Sequence, residues 1–220
     1  MLQSNRPLWN MAPIVVNSFG RSGSTLVHRS ICESIWPVRA GRSRAAAVIG
    51  REAWHLDEVR LRSGRVYKTH DYPIDWGLSR RRPPKTIYLF GDPRTATRSV
   101  VHMAEDRGSG WFAQHCRHLG VEYAPPSEVL SRDCLQIERH FHAWMAQKSL
   151  PTLFVRYDSL WESVDLISSF LGFPLELEPK AQRLGSRLLS PRSEAALDDI
   201  YSRFSEEVRR LPDVFEVNGR

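Results

Sequence analysis

A chain of 220 residues is long enough for one α/β domain, and 41% hydrophobic with 10% aromatic residues excludes wholesale disorder. The net charge of +6 comes from 31 basic against 25 acidic residues, with only Arg80-Arg81-Arg82 as a run, so a small polyanionic ligand suits the surplus better than a nucleic-acid surface. The three cysteines, Cys32, Cys116 and Cys134, lie far apart and form no CxxC pair. This argues against zinc and a disulfide framework and for reduced thiols in a cytoplasmic protein. The N-terminal stretch lacks the apolar block of a signal peptide, and no apolar run is long enough to span a membrane.

Strands and helices alternate along the chain. The pattern predicts an α/β fold: one three-layer domain over 1–220, with a mainly parallel central sheet. Ile14–Phe19 is the first strand, and Ser24–Ile35 is a helix with Val27, Ile31 and Ile35 on one face. The arginine-rich stretch 38–63 carries no clear period. Arg65–Thr69 and Lys85–Phe90 are further strands, and the second, KTIYLF, is apolar enough to be central.

Thr95–Glu105 reads as a helix, and 107–126, with three glycines and a Pro-Pro pair, as a long functional loop. The spacing of Leu130, Cys134, Ile137, Phe141 and Met145 predicts a helix over 127–147. Thr152–Arg156 is a strand. Ser159 and Glu162 form a capping box for a helix that stops at Gly172 and Pro174. A last helix starts at Ser190-Pro191 and runs to Leu211.

Three stretches carry chemistry. The first, PIVVNSFGRSGSTL at 13–26, is a strand, a small-residue loop and a helix start, the order that builds a P-loop-like phosphate cradle. Arg21 brings a permanent forked charge, and Ser24 and Thr25 bring hydroxyls. The loop departs from the nucleotide triphosphatase form, because no Lys follows Gly23. In the second, Val66 to His70, alternation puts Lys68 and His70 on one side of a strand end, a charge beside an acid–base group. In the third, KTIYLFGDPRTATRS at 85–99, an apolar strand breaks at Gly91-Asp92-Pro93-Arg94 into a helix carrying Arg98 and Ser99. Asp92 after a strand also matches a magnesium-binding carboxylate, as an ATP-dependent kinase would need.

In this order the stretches resemble the sulfotransferase family that uses 3′-phosphoadenosine-5′-phosphosulfate. GRSGSTL at 20–26 resembles its 5′-phosphosulfate loop, KTH at 68–70 its catalytic His motif, and DPRTATRS at 92–99 its 3′-phosphate motif. LFVRYDSL at 153–160 is similar to the family's Tyr-containing strand, and the likeness runs from about residue 13 to 211. The resemblance implies transfer of a sulfuryl group to a hydroxyl of a small-molecule or carbohydrate acceptor, without a metal.

It further implies roles for individual residues. Arg21 neutralises the bridging oxygen, Ser22, Gly23, Ser24, Thr25 and Leu26 wrap the 5′-phosphate, Lys68 stabilises charge at the sulfuryl group, and His70 is the base. Ser99 binds the 3′-phosphate and Tyr157 meets the adenine side. Two departures stand out. The family's Arg at the end of the third strand is Gly91 here, with Arg94, or else Arg98, as the substitute. The family's basic C-terminal loop is reduced to Arg183, Gly185 and Arg187.

His55 and Asp71 are reserve bases, and Trp54, Tyr72, Trp76, Trp111 and the 107–126 stretch are where an acceptor would sit. His28, His102, His115, His118, His140 and His142 read as surface or packing residues. The competing readings are an ATP–magnesium kinase and a non-catalytic basic nucleotide- or nucleic-acid-binding domain.

Overall fold

Successive residues of each strand turn to opposite sides, and here both sides are apolar. Val15, Tyr67, Tyr88, Phe90 and Phe154 join one buried cluster, and Ile14, Val16, Val66, Ile87, Leu89, Leu153 and Val155 the other. The computed structural model describes residues 10–36, 43–75, 83–180 and 187–217. In chain order the elements are β1 (Ile14–Ser18), α1 (Ser24–Ile35), α2 (Ser43–Ile49), β2 (Gly50–Glu52), β3 (Val66–Lys68), β4 (Lys85–Phe90), α3 (Pro93–His118), α4 (Ile137–Ala146), β5 (Thr152–Arg156), α5 (Val164–Leu171), α6 (Pro191–Arg210) and β6 (Val214–Val217).

The sheet has six strands in the order β2-β3-β1-β4-β5-β6, parallel throughout except for β6. Helices α3, α4 and α6 cover the face of Tyr88 through Val100, Phe141, Trp144 and Phe204. Helices α1, α2 and α5 cover the face of Ile87 through Val27, Ile31, Ile49 and Ile167. The predicted three-layer α/β architecture is therefore present. The four strands β1, β3, β4 and β5 all deliver their following loops to one carboxyl edge, where open parallel sheets bind ligands.

The first two predicted elements, both flanks of the sheet centre and the final helix stand where the sequence placed them. Three expectations are corrected. Most of the predicted 107–126 loop is helix: α3 breaks at Gly108 (φ 79°, ψ 178°) and then resumes, because Phe112 and Cys116 recur at helical spacing and are buried. Only 119–125 remains irregular before a 3-10 turn at Pro126–Leu130. The helix predicted from residue 127 starts at Ile137, where the Asp133 carboxylate accepts from the Ile137 and Glu138 amides, at 3.1 and 3.4 Å.

The capping box at Ser159 and Glu162 does not form. Tyr157–Ser159 is a 3-10 turn, and α5 begins after Ser163, whose hydroxyl donates to the Ser159 carbonyl at 2.5 Å. Within 38–63, α2 and β2 are regular structure that the sequence did not resolve, while 37–42 lies outside the described residues.

The antiparallel β6 has no counterpart in the sequence pattern. Arg156 fixes it by pairing with Asp213 at 2.6 Å and donating to the Val208 and Leu211 carbonyls at the end of α6. Among the described residues no helix is long and apolar enough to cross a membrane, and the three cysteines are free and buried.

Candidate active site

The loop after β1 turns through three left-handed residues: Gly20 (φ 91°), Arg21 (φ 54°) and Gly23 (φ 86°). Arg21 is a non-glycine in that region, and such strain is held where the surroundings require it. The loop is braced from inside. The Gly20 amide donates to Ser18 Oγ at 3.1 Å, and the buried Ser22 hydroxyl donates to the Gly20 carbonyl at 3.1 Å.

No side chain caps α1 at Gly23. Its first amides and its dipole therefore remain for an anion, with the buried Ser24 and the exposed Thr25 at that end and Leu26 packed toward the core. Gly23 is required sterically as well. A Cβ there would lie 2.5 Å from the Tyr157 ring, so Tyr157, delivered by the end of β5, closes directly on the loop.

Arg21 links this loop to the third stretch, with its Nε donating to Ser99 Oγ at 2.9 Å. Ser99 lies on the first turns of α3, whose start is capped by the Asp92 carboxylate through the Arg94 amide at 2.8 Å. Arg94 is held by two carboxylates: its Nη2 donates to Asp92 at 2.9 Å and its Nη1 to Asp198 at 2.5 Å. Arg98 grips Glu194 with two bonds of 2.9 and 2.7 Å. Arg187 is exposed, and its carbonyl accepts from His102 Nε2 of α3 at 2.9 Å. Arg183 and Gly185 lie outside the described residues, as does Trp76.

The turn after β3 brings His70 against the end of β1. Its Nδ1 lies 2.9 Å from the Ser18 carbonyl oxygen. A carbonyl can only accept, so the proton sits on Nδ1 and the lone pair on Nε2. Burial holds the imidazole well below its ordinary range, and the Lys68 charge lowers it further against the opposing pull of the Ser18 carbonyl. His70 is thus a neutral imidazole at neutral pH, the protonation state a base needs. Lys68 is close enough to act on it and is itself paired with Glu52 of β2 at 3.5 Å.

The reserve base Asp71 is used structurally. Its carboxylate accepts from the Leu56 and Tyr72 amides, both at 2.8 Å. Tyr72 donates its hydroxyl to Gln136 at 3.1 Å, and His55 is half-buried on the connection between β2 and β3.

Two histidines read as packing residues come to this edge. His115 lies against Gly20, 3.0 Å from where its Cβ would be, and stacks on Trp111 at 5.1 Å. His140 sits behind the turn that carries His70. Neither long-range contact has a signal in sequence spacing, because His115 meets Gly20 and His140 meets Asp71 from tens of residues away.

Burial lowers His115 to about 3 and His140 to about 4, and it lowers His70 as well. These rings take up protons on unfolding at a pH where the folded protein leaves them neutral. Their contribution is full above 6.5 and is lost as pH falls toward the folded values. The melting temperature is therefore expected to fall between pH 6.5 and about 5, above the range where carboxylates dominate. A flat profile across that window would contradict neutral buried imidazoles.

Neither a family model nor a curated protein matches the chain. Solved structures do match, two of them at a TM-score of 0.35 each. One is a retinol dehydratase in complex with androsterone and inactive cofactor PAP, 17% identical over 94% of this chain and 73% of that one. The other is a retinol dehydratase in complex with retinol and PAP, 15% identical over the same shares. A TM-score of 0.35 is too low for either likeness to bear on the chemistry of the site.

Proposed function

We propose that the protein is a sulfotransferase that moves a sulfuryl group from 3′-phosphoadenosine-5′-phosphosulfate to a hydroxyl of a small-molecule or carbohydrate acceptor. The observation that carries this reading is the convergence of the three stretches on one edge, with Arg21 of the loop bonded to Ser99 of α3 and His70 presenting Nε2 as its free lone pair. On this reading residues 1–220 are one domain of a cytoplasmic protein.

The chemistry follows from charge. The donor is an anion, so the site needs backbone amides and cations to hold it and a neutral base to activate the acceptor. The α1 terminus from Ser22 to Leu26 takes the 5′-phosphate, Ser99 and Arg94 take the 3′-phosphate, and Tyr157 takes the adenine side. His70 Nε2 removes the acceptor proton as the acceptor oxygen bonds to sulfur. The bond from sulfur to the bridging oxygen breaks, and Arg21 and Lys68 balance the charge that leaves with the nucleotide.

The kinase alternative is disfavoured by Asp92, whose carboxylate is occupied by the Arg94 amide, the Arg94 guanidinium and the Ser205 hydroxyl. A nucleic-acid surface is disfavoured by the arginines outside the site, since Arg98, Arg156, Arg203 and Arg210 are ion-paired. The Arg80-Arg81-Arg82 run lies outside the described residues.

The direct test is transfer of labelled sulfate from the donor nucleotide to a panel of phenol, sterol and sugar hydroxyls in the presence of a metal chelator. Labelled product without metal supports the reading, whereas transfer only of an ATP phosphoryl group with magnesium would replace it.

Gly91 supplies a test by gain. Its φ is not positive, and an added Cβ would meet only the Tyr157 Cβ, at an ordinary 3.9 Å. An arginine there restores the cation that the resemblance implies, at a site where Arg94 is shared with two carboxylates. Gly91→Arg is expected to tighten binding of adenosine 3′,5′-bisphosphate roughly tenfold, as an added charged hydrogen bond would. Unchanged affinity by calorimetry would show that the 3′-phosphate does not lie beside residue 91.

A further inference from the structure

His140 is the middle of a buried hydrogen-bond chain that ends on the turn carrying His70. Its Nε2 lies 3.0 Å from the Asp71 carbonyl oxygen and its Nδ1 lies 2.8 Å from the Tyr88 hydroxyl. The carbonyl only accepts, so Nε2 carries the proton, and the Nδ1 lone pair accepts from the Tyr88 hydroxyl. The same Asp71 carbonyl accepts from Asn17 Nδ2 and Trp144 Nε1, each at 3.0 Å. A carbonyl oxygen has two lone pairs, so a third donor is not needed to satisfy it in a buried place; three donors fix where it points.

The rest of Asp71 is held as firmly. Its amide donates to Thr69 Oγ1 at 3.0 Å, and its carboxylate takes the Leu56 and Tyr72 amides. Asn17, Tyr88, His140 and Trp144 are at most 2% exposed, so water does not substitute for a lost partner. Asn17 also joins this turn to the phosphate loop, since its Oδ1 accepts from the Ser18 amide at 2.6 Å and the Ser18 carbonyl takes the His70 proton.

The geometry points to His140, backed by Tyr88, as a positioning residue that fixes the 69–72 turn so that His70 keeps its proton on Nδ1 and its lone pair on Nε2. The consequence for turnover rests on the proposed sulfuryl transfer; the consequence for the tautomer does not.

The test is nitrogen-15 NMR of histidine-labelled protein, which reads the tautomer of each ring without substrate. In the unaltered protein His140 is expected protonated at Nε2 and His70 at Nδ1. In His140→Leu the Nδ1-to-Nε2 tautomer ratio of His70 is expected to fall roughly tenfold, the weight of one hydrogen bond. His140→Gln, which can still donate to Asp71 and accept from Tyr88, is expected to recover most of it.

Tyr88→Phe removes one hydroxyl and carries the same test if His140→Leu does not fold, with a smaller shift in the same direction. A folded His140→Leu or Tyr88→Phe protein whose His70 keeps the original tautomer would overturn the inference, as would His140 protonated at Nδ1 in the unaltered protein. Failure of the unaltered protein to bind adenosine 3′,5′-bisphosphate would count against the proposed function alone and leave the tautomer result standing.

Discussion

Replacing His70 with alanine is expected to lower kcat for sulfuryl transfer by roughly two to four orders of magnitude, the usual contribution of a positioned general base. Affinity for adenosine 3′,5′-bisphosphate is expected to change by less than about twofold, because the lost group acts on the acceptor proton and not on the nucleotide. The expectation follows from the position of the proton. The Ser18 carbonyl holds it on Nδ1, burial and Lys68 keep the ring neutral, and Nε2 is left to accept.

The nearest carboxylate does not replace it, since both carboxylate oxygens of Asp71 receive backbone amides. Steady-state kinetics and calorimetry on the same preparation separate the two effects. A His70→Ala enzyme with unaltered kcat would move the base elsewhere, with His55 the next residue to test.

Gly23→Ala is expected to be the most damaging small substitution in the phosphate loop. The added Cβ would fall 2.5 Å from two carbons of the Tyr157 ring, at a residue with φ 86°. The left-handed backbone costs an alanine about 1–2 kcal/mol. Overpacking against a ring that is 6% exposed adds roughly 1–3 kcal/mol. Urea unfolding is expected to show a loss of about 2–5 kcal/mol together with weakened nucleotide binding.

The two causes are separable. Tyr157→Ala in the Gly23→Ala background removes the clash and leaves the backbone strain, so the double variant is expected to lose less than the sum of the single losses. Strict additivity would mean that the ring does not close on the loop.

The elements differ in how far local sequence determines them. The apolar run Lys85–Phe90 marks a central strand because both of its faces are buried, and the order of strand, loop and helix from Ile14 to Ile35 marks the candidate phosphate loop without any tertiary information. The second half of α3 was hidden by its glycines. Gly108 does break the helix, but the burial of Phe112 and Cys116 restarts it, a tertiary effect that outweighs local punctuation.

At the site, the sequence exposed the groups whose neighbours are their partners, such as Lys68 and His70. It hid those set by long-range contact. Glu52 pairs with Lys68 across two strands, Tyr157 closes on Gly23 from the far end of β5, and His140 reaches the Asp71 carbonyl from α4. Arg94 and Arg98 show the reverse case. Each lies where the motif puts it, and each is bonded to carboxylates of α6 that local sequence does not announce.

On the proposed function, the loop at Gly20–Gly23 and the start of α3 form one site for a nucleotide bearing both a 5′- and a 3′-phosphate. Thermal unfolding with adenosine 3′,5′-bisphosphate, set against ATP with magnesium, tests it most directly. A ligand at about a hundred times its dissociation constant adds roughly 2.7 kcal/mol of stability, readily seen as a rise in Tm. A rise is expected with the bisphosphate in the presence of a chelator, and little with ATP and magnesium. A rise with ATP and magnesium alone, or with neither nucleotide, would contradict it.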